Sequence, residues 1–163
     1  MITGGGAGIG HAAALQQLSW ESPRISYVLA DASSADDAVH TVSEVVQRHG
    51  RLEVLVNNAG AGAILPLAKA GLQQMRDIFA TNVIGPSLLA TAALPYLKAV
   101  RGTIVNISGT FGHKAAPALS HYAASKAALE HMTRCWALEP AADGVRVNAG
   151  TRPYPAGTTR RTG

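Results

Sequence analysis

Gly102-Thr103-Ile104-Val105-Asn106-Ile107 reads as a strand, and after a loop over residues 108–119 the chain enters a helix from 120 to about 138. That helix carries Tyr122-Ala123-Ala124-Ser125-Lys126 near its start. A separation of four residues puts the phenol and the ammonium on one helix face, about one turn apart. A free tyrosine, with a pKa near ~10, exchanges protons poorly at neutral pH. A positive charge held beside it favours the phenolate and brings the proton into a useful range. An exposed helix face with a snorkelling lysine gives the same spacing. The pair therefore takes its weight from the rest of the chain.

Working outward, the strand-then-helix unit recurs. Leu52-Glu53-Val54-Leu55-Val56 is a strand ending in Asn57-Asn58-Ala59-Gly60, and residues 71–100 are mostly helical, with Pro86 marking a kink or break. Ile25-Ser26-Tyr27-Val28-Leu29-Ala30 reads as a short strand that stops at Asp31. Ser34-Ala35-Asp36-Asp37 has the form of a helix capping box, Val39, Val42, Val45 and Val46 make an apolar stripe, and Gly50 supplies the stop. At the start, Met1-Ile2-Thr3-Gly4-Gly5-Gly6-Ala7-Gly8-Ile9-Gly10 runs into a helical stretch over 11–18. A glycine turn opening a helix lets backbone N–H groups approach a pyrophosphate, though a glycine cluster alone equally suits a flexible start. Val145-Arg146-Val147-Asn148 is the last strand. This alternation predicts an α/β fold: a parallel sheet with helices on both faces. Ligands in such sheets sit beyond the carboxyl ends of the strands. The glycine turn, Asp31, Asn57 to Gly60, the 108 loop and the start of the Tyr122 helix all fall along that edge.

The chain has 163 residues, enough for one domain, and its low charge (15%) suits a sheet buried on both faces. Its net charge is +4, but up to Asn148 it carries 11 Lys/Arg against 10 Asp/Glu, because Arg152, Arg160 and Arg161 lie beyond. A basic character confined to the tail gives little support to nucleic-acid binding. The single cysteine, Cys135, excludes an internal disulfide and a cysteine zinc cluster. The histidines share no metal spacing, and no metal is expected. No signal peptide is read at the start, and no run approaches the ~20 apolar residues of a membrane span. A cytoplasmic protein without membrane contact is the expectation.

Taken together, Thr3-Gly4-x-x-x-Gly8-x-Gly10, Asn57-Asn58-Ala59-Gly60, Asn82-Val83-x-Gly85 and Tyr122-x-x-x-Lys126 resemble the short-chain dehydrogenase/reductase family, in its order and over roughly residues 1–149. The resemblance implies a Rossmann-like doubly wound sheet, NAD or NADP as cofactor, and hydride transfer between the nicotinamide and a secondary alcohol or ketone. By position, Gly4, Gly8, Ile9 and Gly10 would line the pyrophosphate, and Asn57, Ala59 and Gly60 the adenosine side. Tyr122 would be the acid/base, Lys126 would hold the ribose and tune Tyr122, and Asn82 would support a water relay to Lys126. It also implies a homodimer through the helices near 71–98 and 120–138.

Four departures qualify this expectation. Thirteen residues before the tyrosine, where the family has a serine that bonds the substrate oxygen, stands Gly109, flanked by Ser108 and Thr110. Activity is expected to be reduced unless Thr110 or Ser108 swings in, and Ser108 is kept among the catalytic candidates. One strand-helix unit is lacking between Gly10 and Asp31, so residues 25–30 are expected beside the first strand, with Asp31 near the ribose and disfavouring NADP. The first strand is reduced to Met1 and Ile2. After Ala149 the pattern ends, without the family's final strand and lid, as a shifted reading frame or a truncation would leave it. The expected division is a cofactor-binding domain over 1–149 and a disordered basic tail over 150–163. A remnant that binds cofactor weakly, or only dimerises, is the competing reading.

Overall fold

The computed structural model describes residues 1–4 and 26–152. Among the described residues three strands, β1 (Val54–Asn57), β2 (Thr103–Gly109) and β3 (Arg146–Arg152), form a parallel sheet in that spatial order. Met1 to Thr3 run parallel along the free side of β1: Thr3 N–H donates to Val56 O (3.0 Å) and Val56 N–H to Met1 O (2.9 Å). Even this short first segment takes its place next to β1.

Helix α1 (Ala35–His49) starts where Ser34 Oγ accepts from Asp37 N–H at 3.2 Å, and ends at Gly50, whose φ of +77° suits glycine. Helix α2 (Leu72–Phe79) passes through a π turn (Ala80–Ile84) into α3 (Gly85–Val100) without a break. Pro86 was expected to kink this stretch, but it occupies the first turn of α3, where a missing N–H costs least. The π turn takes up the adjustment, Gly85 N–H reaching back to Ala80 O. Residues 72–100 thus form one helical run of 29 residues, long and apolar enough by length and composition to cross a membrane. This corrects the expectation that no such run exists. Ala93 and Leu97 on it are fully buried in the protein core. Helix α4 (Ser120–Leu138) connects β2 to β3.

Leu55, Ile104 and Val147 are register partners across the three strands and share one core with Val42 of α1 and Leu89, Ala93 and Leu97 of α3. Val54, pointing the other way, is 42% exposed. The helix read over 11–18 lies outside the described residues.

Two boundaries are corrected. Residues 26–30 form no strand and do not pair beside Met1 to Thr3; Tyr27 and Leu29 are 76% and 93% exposed. Strand character requires a partner ladder, and this segment is held by α1 instead: Ser26 Oγ lies 3.0 Å from His49 Nε2, and Asp31 N–H donates to Asp37 Oδ2 at 2.7 Å. At the other end, β3 continues through Gly150 to Arg152, which is paired with Gly109, so these residues belong to the sheet.

Candidate active site

The end of β2 meets α4 through three consecutive residues. Ile107 O accepts from Lys126 Nζ at 2.8 Å, Ser108 Oγ donates to Glu130 Oε1 at 2.6 Å, and Gly109 faces the Tyr122 hydroxyl, where a Cβ would stand 2.9 Å from the phenolic oxygen. Ile107 makes its contact through the backbone carbonyl, while Ser108 and Gly109 leave the strand in different directions, toward Glu130 and toward the Tyr122 hydroxyl. Ser108 is therefore not the donor beside Tyr122: its hydroxyl is buried under α4 and bound to Glu130. Lys126 Nζ lies 5.9 Å from the centre of the Tyr122 ring. Burial lowers the Lys126 pKa to about 8, against an opposing attraction from Glu130. On its other side the tyrosine ring rests on Gly62, where a Cβ would come within 2.9 Å of Cδ2.

Asn82 sits in the π turn, fully buried. Its Oδ1 accepts from Ala61 N–H (2.8 Å), and its Nδ2 donates to Ala61 O (2.8 Å) and Ser125 Oγ (2.9 Å). Asn82 thereby couples the segment after β1 to the helix of Tyr122 and Lys126. Gly60 lies between them, since a Cβ there would be 3.5 Å from Asn82 Oδ1 and 3.6 Å from Lys126 Nζ. Further along the same edge, Thr3 Oγ1 accepts from both Asn58 N–H (3.0 Å) and Ala59 N–H (2.9 Å). Gly4, at φ +67°, then packs so closely on Ala59 that a Cβ would fall 2.9 Å from its Cα.

The family model described as short chain dehydrogenase matches residues 11–161 of this chain. The chain belongs to the short-chain dehydrogenase family. It is 37% identical over 124 residues to 3-oxoacyl-[acyl-carrier-protein] reductase FabG of Thermotoga maritima, covering 76% of this chain and 50% of that protein. Over 129 residues it is 35% identical to L-fucose dehydrogenase of Bos taurus, covering 78% of this chain and 48% of the relative. The chain spans about half the length of the curated relatives it matches. Among solved structures, NAD+-bound xylitol dehydrogenase superposes with a TM-score of 0.75 at 30% identity, over 79% of this chain and 51% of that one.

Within this short-chain dehydrogenase frame, the described residues bring together Gly4, Ala59, Gly60, Asn82, Tyr122 and Lys126. Gly8, Ile9 and Gly10 lie outside them. Asn57 is at the right edge, but its side chain is turned inward: Nδ2 donates to Asn106 Oδ1 at 2.8 Å, and Asn106 Nδ2 donates to Thr133 Oγ1 at 2.8 Å. The Asn57 Nδ2 is thus spent inside the protein and its Oδ1 is buried. Asp31 is exposed and closes a turn, its Oδ1 accepting from Ser33 N–H (2.8 Å) and Oγ (2.7 Å). These bonds, the hydroxyl's first, hold its carboxyl below the usual range. Gly62 and Glu130 were missed by the sequence reading. The small run Ala61-Gly62-Ala63 after Gly60 was a signal for the first, whereas nothing in a lone glutamate on a helix marked the second.

Proposed function

We propose that this chain is the catalytic edge of an NAD(P)-dependent oxidoreductase that moves hydride between a nicotinamide and a secondary alcohol or ketone, with Tyr122 as the acid/base. The supporting observation is the meeting of the Tyr122 hydroxyl with Gly109 at the end of β2, with the Lys126 ammonium 5.9 Å from the same ring. Relatives named as a ketoacyl reductase and sugar or polyol dehydrogenases support the reaction class.

The residues present fit a dinucleotide. Gly4, at positive φ, lets the first segment close onto Ala59 at the sheet edge, and Gly60 keeps side-chain atoms off the gap between Asn82 and Lys126. Gly4, Ala59, Gly60 and Lys126 would hold it, with Gly8, Ile9 and Gly10. When bound, the nicotinamide supplies or accepts the hydride. The carbonyl oxygen that gains negative charge needs a donor in place as that charge grows. Tyr122 O–H supplies that proton, and the neighbouring ammonium of Lys126 favours the phenolate left behind. Both Nδ2 hydrogens of Asn82 are taken, but its Oδ1 keeps a lone pair for a water toward Lys126. The same reading includes a homodimer through the helical run over 72–100 and α4, where Leu72, Ile84 and Leu138 are 61%, 49% and 81% exposed.

The test is titration of the folded chain with NADH and with NADPH, following cofactor fluorescence and the thermal transition, then turnover on a ketone panel. Saturable binding, a raised transition and turnover lost in Tyr122→Phe are expected. A cooperative fold that binds neither cofactor refutes the reading.

A further inference from the structure

Glu130 takes no part in the chemistry above, yet its side chain is 5% exposed. A buried carboxylate persists only where charge and hydrogen bonds compensate it. Four residues beyond Lys126, it lies on the same face of α4 one turn further on. Its Oε1 accepts from Ser108 Oγ at 2.6 Å and its Oε2 lies 2.9 Å from His113 Nε2. Gly112 makes the room, since a Cβ there would stand 2.7 Å from Oε1. Among the described residues, His113 from the segment after β2 pairs with Glu130 directly, Lys126 one turn back on its own helix feels its charge, and β2 itself offers the neutral Ser108.

We propose that Glu130 is a positioning residue for the Tyr122–Lys126 pair: it supplies the counter-charge of Lys126 and, through Ser108 and His113, holds the end of β2 against α4. The proposal rests on the reading of that pair as the reacting groups. Ile107, Ser108 and Gly109 are consecutive and meet Lys126, Glu130 and Tyr122 respectively. Fixing Ser108 therefore fixes the two residues that touch the amine and the phenol. The carboxylate also opposes the desolvation that drives Lys126 toward its neutral form.

The four lysines, Lys69, Lys98, Lys114 and Lys126, allow a direct test on the full chain labelled with 15N at the lysine side chains. The Lys126 signal is assigned by its loss in Lys126→Arg. In Glu130→Gln, which keeps the size and an acceptor for Ser108, Lys126 titrates at lower pH while the other three hold. In Ser108→Ala, which loosens the same contact but keeps the charge, the Lys126 midpoint stays. An unmoved Lys126 in Glu130→Gln, or an equal move in Ser108→Ala, overturns the proposal. If Glu130→Gln does not fold, the wild type decides: the 13Cδ signal of Glu130 inflects at the Lys126 midpoint, and a flat signal there overturns the coupling. Wild-type failure to bind NADH or NADPH refutes the proposed function instead, and leaves both titrations readable.

Discussion

Gly109 and Tyr122 are matched by absence: a Cβ on Gly109 would sit 2.9 Å from the Tyr122 hydroxyl oxygen, so the phenol stands where a side chain at 109 would begin. The obstructing atom is the far end of the tyrosine side chain, which must shift to admit a Cβ. Gly109→Ser then adds a second donor beside the tyrosine, and turnover on accepted ketones is expected to rise, on the order of tenfold or more. Gly109→Ala displaces the hydroxyl and donates nothing, so turnover falls. Steady-state rates of the two variants check this; a serine variant no faster than wild type contradicts it.

Gly62 constrains the opposite side of the ring, where a Cβ would meet Cδ2 at 2.9 Å and Cε2 at 3.2 Å. Gly62→Ala cannot be absorbed by a rotating side-chain end, because the contact is with the body of the ring. The phenol is expected to move by a fraction of an ångström, with loss of turnover by about 10²-fold. Cofactor affinity, read by fluorescence titration, should change much less. Equal losses in both would mean that Gly62 shapes the cofactor edge and not the tyrosine.

How much of this was legible depended on whether a feature is local. The Ser34 cap, the Gly50 stop, and the pairing of Tyr122 with Lys126 on one helix face follow from spacing, and the structure has each of them. Residues 25–30 have the composition of a strand, but strand character belongs to a ladder, and no sequence window shows whether a neighbour exists. Ser108 failed as a donor for a related reason. Which of Ser108, Gly109 and Thr110 faces the tyrosine depends on the phase of β2, which one-residue register changes invert. The inward turn of Asn57 was likewise invisible, because its partner Asn106, and Thr133 bonded in turn to Asn106, lie 49 and 76 residues away.

That Asn57–Asn106–Thr133 chain is a stability device with one defect. Thr133 Oγ1 passes it on to Leu129 O at 2.7 Å, while Asn57 Oδ1 is buried and finds no partner among the described residues. Asn106→Ala strands the Asn57 Nδ2, while Thr133 Oγ1 loses a donor but keeps its own bond to Leu129 O, for a loss of about 1–3 kcal/mol. Asn57→Leu should cost less than Asn106→Ala, because it removes the unpaired oxygen together with the amide. Urea unfolding of the two variants orders them; the reverse order would mean that Asn57 Oδ1 is satisfied in solution.

Lys126 links the site to pH. Its pKa is lowered from 10.5 to about 8 in the folded chain, chiefly by burial, so the ammonium is penalised in the folded state. Below about pH 8 both states are protonated and the penalty, roughly 3 kcal/mol, is present in full. Between about 8 and 10.5 the unfolded chain holds more protons than the folded one, and stability rises with pH as the penalty is relieved. Lys126→Met carries no such penalty, so its stability relative to wild type should be greatest near pH 7 and shrink by pH 10. On the proposed role of Tyr122, function runs the other way: as Lys126 loses its proton above about pH 8, the charge that favours the Tyr122 phenolate disappears and turnover is expected to fall. Paired urea melts and pH–rate profiles check both slopes; a wild-type minus Lys126→Met difference that stays flat from pH 7 to 10 would place the Lys126 pKa near its ordinary value and remove the reason for this limb.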